Sequence, residues 1–227
     1  FSRYLGAMMA RGHSIEYFIE GGRSRTGRLM QPKTGMLAMT VRAYVRKPVR
    51  PVVFVPIYFG YERLVEGRTY IGELSGRPKE KESIIGMLRT LPELRSRFGK
   101  VYVSFGEPLP LDRLLERHVP GWDRQQPVTE EKPAWLSPLC VDLAHQIMTR
   151  INAAACVTPV NLMGTVLLAT PRQRMGEADL ARQLELYASL MRQAPYSPRV
   201  WVTPLDGQSM IRHCDSLRML YRQSHPL

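Results

Sequence analysis

The 227-residue sequence predicts an α/β domain over residues 1–110 followed by a mostly α-helical region over residues 111–227. Three observations carry that expectation. A continuous apolar run at residues 52–55 is bounded by Pro51 and Pro56, the pattern of a strand buried on both faces. Ahead of it, a β-rich stretch at residues 14–19 precedes a helical pattern at residues 35–46, so that strand, helix and strand form a βαβ unit. Beyond residue 139 apolar positions recur at helical spacing, as in Leu180, Leu184, Tyr187 and Met191.

Residues 14–19 hold Ile15, Tyr17, Phe18 and Ile19, a short strand that stops where Gly21 and Gly22 leave it unpacked. Thr34 is expected to cap the helix over 35–46, with Met36, Met39 or Thr40, and Ala43 on its inner face and Pro48 and Pro51 ending it. Residues 101–105 predict a further strand, running into Gly106-Glu107-Pro108, and residues 112–118 a helix. The sheet, mixed or parallel, is expected to close near residue 110. In such units ligands lie beyond the carboxyl ends of the strands, which sets the segments beginning at Glu20 and at Pro56 on one rim. Residues 120–138, around Trp122 and Trp135, read as a connecting loop. A helix is expected over 139–151, and Thr158-Pro159 reads as an N-cap with proline at the first helical position. No element is predicted after Pro195.

With 44% hydrophobic and 23% charged residues the chain has the composition of a packed protein rather than a disordered one. Its longest apolar run, residues 52–59, is interrupted by Pro56 and falls short of the roughly 20 residues a spanning helix needs. Cys140, Cys156 and Cys214 form no C-x-x-C pair, which fits a reducing compartment. No metal site and no cofactor are expected. The sequence opens at Phe1 with no signal-peptide pattern and reads as a fragment.

Net charge is +12, and the first fifty residues hold ten lysines and arginines against two acids. A field of that sign attracts polyanions: nucleic acid, phosphorylated metabolites, coenzyme A, an acidic carrier protein or an anionic lipid surface.

The densest part of that charge is residues 18–28, Phe-Ile-Glu-Gly-Gly-Arg-Ser-Arg-Thr-Gly-Arg. Glycines let backbone amides approach a phosphate closely, and guanidinium groups match phosphate oxygens with forked, charge-assisted bonds. Glu20, the acid among these arginines, could accept from a polyol hydroxyl or orient an arginine. A solvated arginine-rich turn would have the same composition. Gly22 and Gly27 have the spacing of a nucleotide-binding P-loop, but Arg28 and Leu29 stand where Lys and Ser or Thr are required.

Those eleven residues, followed by the strand ending Val55-Pro56-Ile57-Tyr58, resemble two of the four signature blocks of the glycerol-3-phosphate acyltransferases, above all the bacterial membrane-associated branch. The resemblance extends through Lys33-Thr34-Gly35, Tyr58 to Glu62, Lys79-Glu80-Lys81-Glu82-Ser83, Phe105-Gly106-Glu107-Pro108, His118-Val119-Pro120, Pro133-Ala134-Trp135-Leu136 and Arg150-Ile151-Asn152. It implies that residues 1–110 are the C-terminal part of an acyltransferase α/β domain. It also implies that Glu20, Gly21, Gly22, Arg23 and Ser24 belong to the block that binds glycerol 3-phosphate, with Arg23, helped by Arg25 or Arg28, pairing with its phosphate, and that Pro56 shapes the pocket. The implied reaction is acyl transfer from acyl-CoA or acyl carrier protein to glycerol 3-phosphate, giving lysophosphatidate, by an enzyme peripheral to the cytoplasmic face of the bacterial inner membrane. The family's general base, the His of an H-x-x-x-x-D block, is expected upstream of Phe1, so no catalytic residue is expected in this chain. One internal match, His118 with Asp123, contains Pro120 and Gly121, which suits a helix end better than a catalytic dyad. The Lys79 to Ser83 run reads as a solvated helix face.

Two other classes fit part of the pattern: a catalytically inert acyltransferase relative, and a nucleic-acid module suggested by Gly-Gly-Arg-Ser-Arg. Arginine-glycine RNA-binding tails are repetitive, whereas this run is a single copy between strand and helix, so no nucleic-acid partner is expected.

Overall fold

The computed structural model describes residues 2–22, 28–63, 98–124 and 133–223. Its helices are α1 (Ser2–Arg11), α2 (Gly35–Arg46), α3 (Leu111–His118), α4 (Leu136–Ala153), α5 (Pro159–Ala169), α6 (Glu177–Gln193) and α7 (Gly207–Ser216), and its strands are β1 (Val53–Phe54), β2 (Ile57–Tyr61), β3 (Val101–Phe105), β4 (Leu109–Pro110), β5 (Cys156–Val157) and β6 (Trp201–Val202). Helix and strand thus alternate through the first half and helices dominate the second, the α/β class with a helical C-terminal region. The chain folds as two compact units, residues 1–57 with 105–152 and residues 58–104 with 153–227.

In the first unit, α2 buries Leu37, Thr40, Val41 and Tyr44, the i, i+3, i+4, i+7 spacing of one helical face. They share a core with Leu111, Leu114 and Leu115 of α3 and with Leu139, Cys140, Leu143, Ala144 and Ile147 of α4. The Tyr44 hydroxyl donates to Asp112 Oδ1 at 2.5 Å, and its ring lies 5.4 Å from that of Trp122, fastening α2 to the start of α3. The Thr34 hydroxyl makes no cap bond. Its carbonyl instead accepts from Ala38 N at 2.8 Å, so the helix begins through a turn. Helix α4 starts three positions before the expected residue 139, because Leu136 is buried and belongs to the same apolar face.

Two expectations for this unit are corrected. Residues 14–18 are without regular structure and Ile19 and Glu20 form a turn, so the strand expected at 14–19, and with it the βαβ unit, does not form among the described residues. β-rich composition makes a segment extended, but a strand also needs a ladder partner. The run at residues 52–55 is not buried on both faces: β1 pairs antiparallel with β4, Val53 against Pro110 and Phe54 against Leu109, and Val53 and Val55 are exposed.

In the second unit, β2 pairs with β3, and its last rung runs from Glu62 N to the Lys100 carbonyl at 3.2 Å. Side chains alternate there as a pleat requires: Phe59, Tyr61, Val101 and Val103 are exposed, while Gly60 and Glu62 are buried. Helices α5, α6 and α7 pack around Leu162, Met163, Val166, Leu180, Leu184, Ala188, Met210 and Cys214. Thr158 caps α5 as expected, accepting from Asn161 N at 3.3 Å while Asn161 Oδ1 accepts from Thr158 N at 3.0 Å, a reciprocal capping box. The buried stripe of α6 is Leu180, Ala181, Leu184 and Ala188. Tyr187, expected on it, is exposed, because two alanines let the neighbouring helix approach on the adjacent face. Strand pairing does not end near residue 110, since β5 and β6 form a parallel pair, Cys156 against Trp201. Strands this short, one bounded by Thr158-Pro159, carry no periodic signal.

Candidate functional site

The candidate site is built on the loop that leaves the first unit's core at Ile19 and returns at Lys33. Ile19 is buried, its carbonyl accepts from Lys33 N at 2.8 Å, and Gly21 N donates to the Phe18 carbonyl at 2.9 Å. A second bond closes the loop just inside the first, from Met30 N to Glu20 Oε1 at 3.1 Å. The base of the arginine-rich segment is therefore held by the main chain and by one carboxylate. The contact that the described residues show for Glu20 is the bond from Met30 N. Its carboxylate fixes the loop itself.

Gly21 sits at φ +62°, in the left-handed region that glycine enters without cost. A Cβ there would lie 2.6 Å from Lys33 Cδ, so the lysine stem lies across the place where any other residue would carry a side chain. Gly22 is less constrained, its Cβ position being 3.7 Å from Met30 Cε. Gly21, Gly22, Arg28 and Lys33 are exposed. The closed base thus gathers Glu20, Gly21, Gly22 and Lys33, and Arg28 stands at the loop's returning limb. Arg23, Ser24 and Arg25 lie outside the described residues, as does the Lys79 to Ser83 run. Lys33, the first residue of the Lys33-Thr34-Gly35 segment, closes the loop through its main chain and covers Gly21 with its stem.

Pro56 is buried and belongs to a second cluster of the same unit. Its carbonyl accepts from Gly106 N at 2.8 Å. A Cβ on Gly106 would lie 2.9 Å from the Arg150 carbonyl and 3.1 Å from Pro56 Cβ. Gly106 thus lies against both Pro56 and the last turn of α4. Arg150 Nε stands 3.6 Å from Glu107 Oε2.

His118 does not pair with Asp123. Its Nε2 lies 2.9 Å from Asp142 Oδ2, and Asp142 Oδ1 accepts from Gln146 Nε2 at 2.9 Å, so the imidazole clips the end of α3 to α4. Cys140, Cys156 and Cys214 are free and buried. Among the described residues no group of three His, Cys, Asp or Glu could hold a metal ion, and no helix is long and apolar enough to cross a membrane.

A glycine turn thus opens a loop closed at its base, with Arg28 and Lys33 exposed on the returning limb. A family model described as the glycerol-3-phosphate acyltransferase C-terminal region matches residues 70–227, and one described as acyltransferase matches residues 1–60. The chain belongs to the glycerol-3-phosphate acyltransferase family, as a part of its C-terminal region. It is 54% identical over 227 residues to the glycerol-3-phosphate acyltransferase of Xanthomonas axonopodis pv. citri (strain 306). It is 51% identical to that of Xylella fastidiosa (strain M12) and 48% identical to that of Pseudomonas aeruginosa (strain LESB58). All of this chain is covered in each case, against 26%, 26% and 27% of the relatives' own length. The chain therefore spans about a quarter of the proteins it matches.

Proposed function

We propose that this chain is the acceptor-positioning part of an enzyme that acylates the 1-hydroxyl of glycerol 3-phosphate. The acyl group comes from acyl-CoA or acyl carrier protein and the product is lysophosphatidate. The observation that carries this reading is the loop closed by Ile19 with Lys33 and by Glu20 with Met30. Gly21 and Gly22 stand at its start, and residues 23–28 of its sequence hold three arginines. Arg23, helped by Arg25, Arg28 and Ser24, pairs with the acceptor phosphate, and Pro56 shapes the pocket wall. In the reaction a histidine outside this chain takes the hydroxyl proton. The oxygen then attacks the thioester carbonyl, and the thiol leaves as the ester forms. Holding the acceptor in line with the thioester is the contribution of these residues, and positioning of that kind lowers a barrier by several kcal/mol. The basic first fifty residues favour peripheral attachment to an anionic membrane surface, the cytoplasmic face of the bacterial inner membrane.

The test is Arg23→Ala in the full-length protein. It raises the KM for glycerol 3-phosphate and leaves that for the acyl donor close to wild type. Equal effects on the two substrates would overturn the assignment of this loop to the acceptor.

A further inference from the structure

We propose that the outer face of the β2–β3 pair is an internal interface of the full-length polypeptide, seated against an apolar element of the part that this chain lacks. In the second unit that face is made by Phe59 and Tyr61 of β2 and by Val101 and Val103 of β3, which are 41%, 55%, 57% and 49% exposed. Alternate positions of paired strands point to one side of the pleat, so the four side chains form one patch.

The chemistry of the opposite side marks this patch as half of a core. A sheet with one face packed and the other in water reads apolar inward and polar outward. Here that order is reversed. The side turned toward this unit carries Gly60, Glu62, Tyr102 and Ser104. Glu62 is bonded to His213 of α7, the Ser104 hydroxyl lies 3.1 Å from Cys156 Sγ in β5, and the Tyr102 ring lies 5.1 Å from that of Trp201 in β6. Polar groups are thus enclosed, while two aromatic rings and two valines face outward. Adjacent large apolar side chains left open in this way are the mark of an interaction surface. The sheet is also only two strands wide among the described residues, and a sheet that narrow draws its stability from further packing.

Length and charge select the occupant. The part matched here is 26% of the relatives' length, so about three quarters of the polypeptide lies outside it. A covalently attached segment reaches the face at an effective concentration that a separate molecule does not match, which favours the protein's own chain over a second copy. An anionic bilayer fits less well, because surfaces that bind one set lysines and arginines among their apolar groups, and these four positions hold none.

Cysteine labelling of the full-length protein tests the interface. In Val103→Cys, iodoacetamide modification of the peptide carrying residue 103 is more than about tenfold slower in the native protein than in urea, because a closed interface reacts only when it opens. Any smaller slowing overturns the proposal. Photocrosslinking from p-benzoylphenylalanine in place of Tyr61 then identifies the occupant. The expected product is a crosslink within one polypeptide, to a peptide outside the 227 residues of this chain. A crosslink back to these residues overturns the proposal. So does one to a second copy, read in a mixture of light and heavy-isotope protein, one to lipid in vesicles of phosphatidylglycerol and phosphatidylethanolamine, or none at all.

Discussion

His213 Nε2 lies 2.9 Å from both carboxylate oxygens of Glu62, whose side chain is fully enclosed. Lys100 N donates to Oε2 at 2.8 Å and the Tyr102 hydroxyl to Oε1 at 3.0 Å. Lys100 just ahead of β3, Tyr102 on β3 and His213 on α7 thus hold one buried carboxylate at the end of β2. Burial first, and the adjoining carboxylate second, push the Tyr102 hydroxyl well above its ordinary pKa, so it remains a donor.

Because the carboxylate is enclosed, taking away one of its hydrogen-bond partners costs more than the bond itself contributes. His213→Ala is expected to lower unfolding free energy by about 2 to 3 kcal/mol. The double variant Glu62→Gln/His213→Ala loses less than the two single losses combined. Urea denaturation of the four proteins measures this, and additive losses would show that the two side chains are not coupled.

Two glycines of the second unit have opposite expectations. A Cβ at Gly207 falls on the Ala181 carbonyl, where α7 crosses α6, whereas one at Gly164 in α5 meets nothing within 4 Å. Gly207→Ala therefore destabilises by about 1 to 3 kcal/mol through overpacking, and Gly164→Ala stabilises by roughly 0.5 to 1 kcal/mol as a helix interior loses a glycine. Thermal midpoints moving in the same direction would contradict the crossing geometry.

At Gly21 the conformation, not the space alone, forbids a side chain. Gly21→Ala places Cβ at φ +62° against the Lys33 stem, a strain of about 1 to 2 kcal/mol. The expected outcome is a raised KM for glycerol 3-phosphate with an unchanged donor KM. A variant kinetically identical to wild type would separate this turn from acceptor binding.

Asp142 gives the first unit an acid-sensitive contact. Its hydrogen bond with His118, opposed by some burial and reinforced by Gln146, holds its carboxyl below the ordinary 3.8. A folded pKa below the unfolded one contributes stability that is present at neutral pH and lost as pH falls through the folded value. Stability of Asp142→Asn therefore declines less steeply than wild type in that acid range and runs parallel to it above. Urea midpoints across a pH series read the difference, and superimposable slopes would show that the pair contributes nothing.

The thiols provide a labelling check on both cores. Burial pushes Cys140 up to about 11, and burial with the Glu62 charge pushes Cys214 up to about 12. At pH 8 both should react with iodoacetamide more than about a hundredfold more slowly than an unperturbed thiol, because only the thiolate attacks. Rapid native-state labelling of either would argue against these cores.

Where local chemistry determines the outcome, the sequence is readable. The prolines at 48 and 51 close α2, Thr158-Pro159 opens α5, and the apolar spacing of residues 139–151 describes α4 well. What could not be read depends on partners remote in sequence. Residues 14–19 look like a strand, but no composition reveals a missing ladder partner. Val53 is as apolar as a core residue, yet its exposure is decided by which strand pairs with β1. The candidate site divides in the same way. Gly21 and Gly22 announce a turn by type and spacing, whereas the Glu20 bond to Met30 and the closeness of Gly106 to Pro56 and to the end of α4 are products of the folded chain.

The two compact units interleave along the chain, and this bears on synthesis. The core of the first sets Leu37 and Val41 in one cluster with Leu139 and Leu143, so a ribosome must deliver α4 before that face of α2 is fully buried. Helices α5, α6 and α7 follow one another directly and can condense as they emerge. Vectorial production thus leaves the loop base at Ile19 and Lys33 without its supporting core until the middle of the chain arrives.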